Sequence, residues 1–224
     1  MRGGWLGLML VIGACRFDHG EPEVTGDSGL VDDGDIPGDV VAIPPDAQID
    51  EVVVTLAANN DDALQDPPPG AVLVSYSWMS LYTADHWGAM RFALPQVPRG
   101  ATVVDAYLDV YLDTGATEDD PNVSITSEAS ANPAALMSLN NNISNRPRGT
   151  ARVAWVATNL GTGMRRSPSL AAIVQERIDA AGWMTGQPIL FIFDTVGPSF
   201  EVRQRDHAPA GMYAPKLTVR FIRP

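Results

Sequence analysis

Between Thr102 and Asp113 the chain reads TVVDAYLDVYLD, and its side chains keep a period of two throughout. Successive side chains of an extended chain point to opposite faces. Thr102, Val104, Ala106, Leu108, Val110 and Leu112 therefore fall on one side, and Val103, Asp105, Tyr107, Asp109, Tyr111 and Asp113 on the other. A half-buried strand of an antiparallel sheet satisfies that pattern. Just upstream, Met90 to Ala93 places Met90 and Phe92 on one face with Arg91 between them, and Pro98-Arg99-Gly100 separates the two runs. The pair reads as neighbouring strands of a β-sandwich.

The remaining chain extends the same architecture. Val52 to Ala57 is a first strand, followed by a loop over 59–66 whose continuation, Pro67-Pro68-Pro69-Gly70, excludes regular structure. Residues 71–75 and 79–83 read as short strands, and 122–127 as a strand with Val123 and Ile125 inward. Residues 129–150, with Asn140-Asn141-Asn142 and Arg146-Pro147-Arg148-Gly149, form a long surface loop, the kind of segment in which binding often resides. Residues 151–157 return to strand, with Val153 and Trp155 inward. Ser167-Pro168 then supplies an N-cap and a first-turn proline, and Leu170, Ile173, Val174, Ile178 and Ala181 recur at helical spacing until Gly182. PILFIF at 188–193 is apolar at every position, so it must be covered on both faces, with the helix as the expected second cover. Lys216 to Ile222 closes the chain with Leu217, Val219 and Phe221 inward.

Upstream of the strands the character changes. Residues 1–14 carry Arg2, an apolar run from Trp5 to Ile12, and the small residues Gly13 and Ala14 ahead of Cys15. The run is too short for a permanent membrane span and suits a secretory signal peptide. Residues 16–50 hold ten acidic side chains and one arginine, with aliphatics at neither helical nor strand period. They read as a disordered acidic tether. Asp32-Asp33-Gly34-Asp35 has carboxylates around a glycine but lacks the ordered ligand positions and terminal Glu of a calcium loop. The predicted organisation is a signal peptide at 1–14, Cys15 and tether at 15–50, and one folded domain at 51–224. The folded part carries 13 basic and 17 acidic side chains, against the net basic face that nucleic-acid binding needs. A single cysteine excludes an internal disulfide.

Several short motifs occur in a familiar order: Arg91-Phe92, Pro98-Arg99-Gly100-Ala101-Thr102, Ala106-Tyr107-Leu108, Asn142-Ile143-Ser144-Asn145-Arg146-Pro147, Val153-Ala154-Trp155, Ser167-Pro168 and Ala214-Pro215-Lys216-Leu217. In that order they resemble the DNRLRE-type domains of bacterial surface proteins, β-sandwich modules related to carbohydrate-binding modules. Gln204-Arg205-Asp206-His207 stands where members of that family carry an acidic-aromatic loop. Ile12-Gly13-Ala14-Cys15 similarly resembles the bacterial lipobox, in which cleavage precedes a cysteine that becomes lipidated. These resemblances imply a jelly-roll-type antiparallel sandwich on a lipid-anchored protein of the bacterial cell envelope, at the outer membrane or cell surface. They also imply a polysaccharide or other glycan as ligand.

The outer face of the long strand carries the best candidate chemistry. Tyr107 and Tyr111 share it with Asp105, Asp109 and Asp113. Sugar C–H faces pack on aromatic rings while hydroxyls donate to carboxylates, so this face suits a glycan. The competing reading is that a neighbouring segment covers it, or that its acids pair with Arg152 and Arg220 on adjacent strands. Among catalytic candidates, Asp85-His86 and Asp206-His207 put a carboxylate beside an imidazole, but adjacent residues rarely form such a dyad. Glu128 and Glu201 are available as a carboxylate pair, though no motif links them. The chain has no GxSxG or HExxH. The expectation is a non-catalytic module with no cofactor and no metal site. It binds glycan or, as the alternative, serves as a structural or adhesion module with protein partners; a degenerate glycan hydrolase is a third reading.

Overall fold

The computed structural model describes residues 47–112, 122–156, 160–196, 201–203 and 212–224, except 69, 75, 82 and 83, and for 201–203 the backbone alone. The strands are β1 (Ile49–Thr55), β2 (Asp62–Gln65), β3 (Val72–Val74), β4 (Trp78–Ser80), β5 (Trp87–Ala93), β6 (Thr102–Leu112), β7 (Asn122–Ser127), β8 (Val153–Val156), β9 (Gly163–Arg166), β10 (Pro188–Thr195), β11 (Glu201–Arg203) and β12 (Lys216–Ile222). Among the described residues there is a single helix, α1, spanning Ala171–Ile178. The front sheet runs β1-β12-β6-β11-β4, with β9 also on β6. The back sheet runs β3-β2-β5-β10-β7-β8. The protein is an all-β sandwich of jelly-roll type: successive strands alternate between the sheets from β4 to β7, and β1 lies beside β12.

Inward-facing residues of both sheets make the main core. Ala106, Leu108, Val110 and Leu112 of β6 meet Met90 and Phe92 of β5, Ile189, Phe191 and Phe193 of β10, and Leu217, Val219 and Phe221 of β12. Phe92 and Phe191 pack edge-on with ring centroids 6.2 Å apart. The alternation in β6 slips once. Arg220 pairs with Asp105 but Phe221 with Val103, so Val104 is the extra residue of a bulge and Val103 packs against the core in its place. The Val103 N–H donates to Gln175 Oε1 at 2.8 Å, which ties the bulge to α1.

Several expectations are corrected here. β5 and β6 are consecutive but lie in opposite sheets, so the Pro98-Arg99-Gly100 turn crosses the sandwich instead of closing a hairpin. β1 opens at Ile49, inside the stretch assigned to the tether, where Asp50 pairs with Arg223. Part of the supposed loop at 59–66 is β2, buried at all four positions. Ser167 does not cap the helix. Its N–H donates to the Leu108 carbonyl and its hydroxyl accepts from the Leu108 N–H, so the segment continues β9 along β6, and the helix begins only at Ala171.

The second cover of β10 is also not the helix. Leu170, Ile173, Val174 and Ile178 join the main core, on the same side as Phe191. Leu190 and Ile192, on the other face of β10, pack with Ala63, Val72 and Ala89 beneath Leu136 and Ile143 of the 129–150 segment. That segment is a strap across the outside of the back sheet. Arginines pin it: Arg91 donates to the Pro133 carbonyl at 2.9 Å and pairs with Asp61 at 2.7 Å, and Arg148 bonds the Arg146 carbonyl and Asp194. The buried Gln65 side chain accepts from the Ile143 and Ser144 N–H groups and donates to Ser144 Oγ. The Asn141 N–H donates to the Gly70 carbonyl. Gly70 has φ +82°, and a Cβ there would lie 1.8 Å from Asn141 Oδ1.

Candidate functional site

The outer face of the front sheet is built in rows because antiparallel register sets residues of adjacent strands opposite one another. One row runs Arg166, Asp109, Lys216, Thr55. The next runs Tyr107, Thr218, Val53, and the third Asp105, Arg220, Glu51. Every β6 member of these rows points away from the core because it alternates with Ala106, Leu108 and Val110.

Arg166 organises the centre. Its Nε and Nη2 donate to the two Asp109 carboxylate oxygens at 3.0 and 3.2 Å, and its guanidinium carbon lies 3.6 Å from the Tyr107 ring centroid. The side chain is nonetheless 58% exposed. The hydrogen bonds to Asp109 raise the guanidinium pKa above its ordinary value, against the opposing effect of desolvation. The consequence is positional, because arginine carries its charge at every working pH in any case. Fork-shaped pairing and stacking together hold the cation over the ring.

Tyr111 packs against Tyr213, just ahead of β12, with centroids 4.3 Å apart and planes tilted by 49°. Asp105 accepts from Ser169 Oγ at 2.7 Å and from the Ala106 N–H at 2.8 Å. The face thus brings together four of the expected residues, Tyr107, Tyr111, Asp105 and Asp109, while Asp113 lies outside the described residues. Both tyrosines are half-buried. Of the two arginines expected as cross-strand partners, Arg220 does stand between Asp105 and Glu51, with Nε 3.8 Å from Glu51. Arg152 does not belong to this face, since it leads into β8 of the back sheet. The partner that sequence reasoning missed is Arg166. It sits on a four-residue strand, too short to show a period, and nothing in the sequence sets it opposite Asp109. Tyr213 was missed for a similar reason.

The other candidates fare differently. Glu128 is buried and pairs with Arg146 at 2.5 Å, so its carboxylate is committed to holding the strap. His86 Nε2 lies 3.9 Å from Asp66 Oδ1. Cys15, the expected signal peptide, most of the expected tether, His207 and the Glu201 side chain lie outside the described residues. Among those that are described, no group of three or more His, Cys, Asp or Glu is placed to hold a metal, and no helix is long and apolar enough to cross a membrane. Trp155 and Trp183 are core residues, each 3% exposed, and the Trp183 indole N–H donates to the Val97 carbonyl. No protein-family model matches this chain, and no curated protein does.

Proposed function

We propose that this is a non-catalytic glycan-binding module, held at the bacterial cell envelope by a lipid on Cys15. The observation that carries the binding half is the front-sheet face, where Tyr107 and Tyr111 stand four residues apart on one strand, with Asp109 between them and Asp105 ahead of them. Aromatic rings bearing fixed acceptors and donors at their edges are what a sugar chain requires. Its C–H faces lose water against the rings, and its hydroxyls exchange water for carboxylates and guanidinium. Arg166 adds to this, because Asp109 and Tyr107 hold it in place and less side-chain freedom is lost when a ligand arrives. The resemblance to DNRLRE-type domains supports polysaccharide as the ligand class.

The anchor half rests on Ile12-Gly13-Ala14-Cys15 after an apolar run. Buried acyl carbons contribute roughly 0.8 kcal/mol per CH₂, so a multiply acylated cysteine would hold the chain firmly on a membrane. A glycan array with the purified chain tests the first half; absence of binding to any glycan ends that reading. Fractionation tests the second. Cys15→Ser should move the protein to soluble fractions, and a variant that stays in the membrane fraction would refute the anchor.

A further inference from the structure

On the strap, between its entry at Glu128 and its exit after Arg146, lies an open hollow of about 360 Å³. Its apolar lip is Met137 and Leu139, which are 48% and 57% exposed. Its polar wall is amide: Asn140, Asn142 and Asn145. Asn142 Oδ1 accepts from the Met137 N–H at 3.0 Å and from Arg146 Nη2 at 3.1 Å, which fixes that amide with its NH₂ group left over. Among the described residues, the Asn140 and Asn145 side chains make no hydrogen bond.

The charges of the hollow are already spent. Arg146 has five N–H donors. They go to Glu128, to the Ala134 and Ala135 carbonyls, and to the carbonyl and side chain of Asn142. An anionic ligand would find no free donor on the guanidinium, and a cationic one would compete with Arg146 for Glu128. What remains on offer is the Asn140 and Asn145 amides, each with a donor and an acceptor, and the NH₂ of Asn142, beside two apolar side chains. Backbone bonds from Asn141 to Gly70, from Asn142 to Leu139 and from Asn145 to Asn141 hold the amides in place.

We propose that this hollow is a second ligand site, on the opposite sheet from the tyrosines, and that it takes an uncharged polyhydroxyl ligand, namely a short stretch of neutral glycan. The Asn140 and Asn145 amides meet vicinal hydroxyls with a donor and an acceptor each, the Asn142 NH₂ adds a donor, and Met137 and Leu139 take the C–H face. The volume is at the small end of ligand pockets, which run from about 300 to 1,000 Å³. The site stands on its own geometry; the choice of a glycan among polyhydroxyl ligands rests on the reading given above.

Calorimetric titration of the full chain in mild detergent tests this, using neutral hexasaccharides of β-1,4-linked glucose, mannose and xylose, with a galacturonan hexamer as the charged control. At least one neutral hexamer should bind, with an affinity that does not fall as salt is raised. Asn140→Ala/Asn145→Ala should weaken that binding tenfold or more without moving the thermal midpoint. Undiminished binding by the asparagine variant overturns the proposal, as does binding confined to the charged hexamer. If Tyr107→Ala/Tyr111→Ala abolishes binding that the asparagine variant keeps, only the strap site falls. If no hexamer of either kind binds, the glycan reading falls with it.

Discussion

The two outer faces of this sandwich are finished in opposite ways. The front face meets solvent directly, and its side chains are held by one another in rows: Arg166 with Asp109, Arg220 between Asp105 and Glu51, and Tyr111 against Tyr213. The back face is roofed by the strap, beneath which Leu136 and Ile143 complete a small second core over Leu190 and Ile192. A sheet whose outer residues are polar can be left open. A strand such as β10, apolar on both sides, cannot, and the irregular backbone that covers it has to find partners for its own polar groups. Here side chains supply them, which is why the strap contains or touches so many arginines. The difference predicts that substitutions at the buried anchors of the strap change stability, and that those at exposed side chains of the front sheet or of the strap's hollow change binding.

The largest expected effect is at Arg146. Its side chain is 9% exposed and its partner Glu128 11%. Arg146→Ala leaves that carboxylate buried without its cation and removes the bonds to three strap carbonyls, those of Ala134, Ala135 and Asn142, a loss of about 3–5 kcal/mol. Urea unfolding measures it. A loss below about 1 kcal/mol, the range of an exposed pair, would mean that the strap floats on the sheet and that the contrast between the faces is wrong.

Glu176 of α1 secures the strap's exit, accepting from the Thr150 N–H and hydroxyl and from the Ala151 N–H, and pairing with Arg177 at 2.9 Å. Desolvation pushes its pKa up, but the Thr150 and Ala151 bonds and Arg177 together outweigh it, so the folded-state pKa lies below the ordinary glutamate value. A depressed carboxylate pKa stabilises the fold at all pH values above the unfolded one, and that contribution disappears as pH falls through the folded pKa. Glu176→Gln should therefore cost about 0.5–1.5 kcal/mol at neutral pH, since solvent screens a carboxylate whose Thr150 bonds are exposed, and should flatten the acid limb of stability against pH. Parallel limbs for the two proteins would show that the carboxylate is not linked to folding.

Thr126 carries an effect of the opposite sign. It lies on the strap side of β7, opposite Ile192, fully buried, and its hydroxyl has no partner among the described residues. Thr126→Val keeps the shape and removes the unmet polar group, so the thermal midpoint should rise, by an amount corresponding to about 1 kcal/mol. A fall would show that the hydroxyl is satisfied after all.

How far this contrast could be read from sequence depends on period. The front face was legible because Ala106 to Leu112 alternate over enough residues to declare both the core and the outward side chains, and β12 repeats the pattern with Leu217, Val219 and Phe221. The roofing of β10 was legible as a need, since PILFIF is apolar throughout, but its source was not. Leu136 and Ile143 sit in a segment without period, and their role depends on a chain crossing fixed by Gln65, Arg91 and Asp194, far away in sequence, together with Arg146 and Arg148 of the segment itself. The strand β2, Asp-Ala-Leu-Gln, was hidden because its buried polar ends are satisfied by tertiary partners such as Ser144. At the candidate site the β6 residues were visible and Arg166 was not, because register between strands is a property of the assembled sheet.

The smallest stability effect, and the sharpest test of the front face, is at Arg166. Its side chain is 58% exposed, so its ion pair with Asp109 falls in the class worth about 0–1 kcal/mol, and Arg166→Ala should barely move unfolding. Binding is another matter. The guanidinium covers one face of Tyr107 at 3.6 Å, so a ligand approaching from that side meets cation and ring as a single surface. Arg166→Ala and Tyr107→Ala should each weaken glycan affinity by a similar factor, and the double variant by little more than either alone, because each single change already dismantles the shared surface. A titration series over the four proteins gives the coupling. Additive losses would mean that Arg166 and Tyr107 contact the ligand independently. Tighter binding by Arg166→Ala would mean that the arginine merely shields the ring, and that Tyr107 is the platform once it is uncovered.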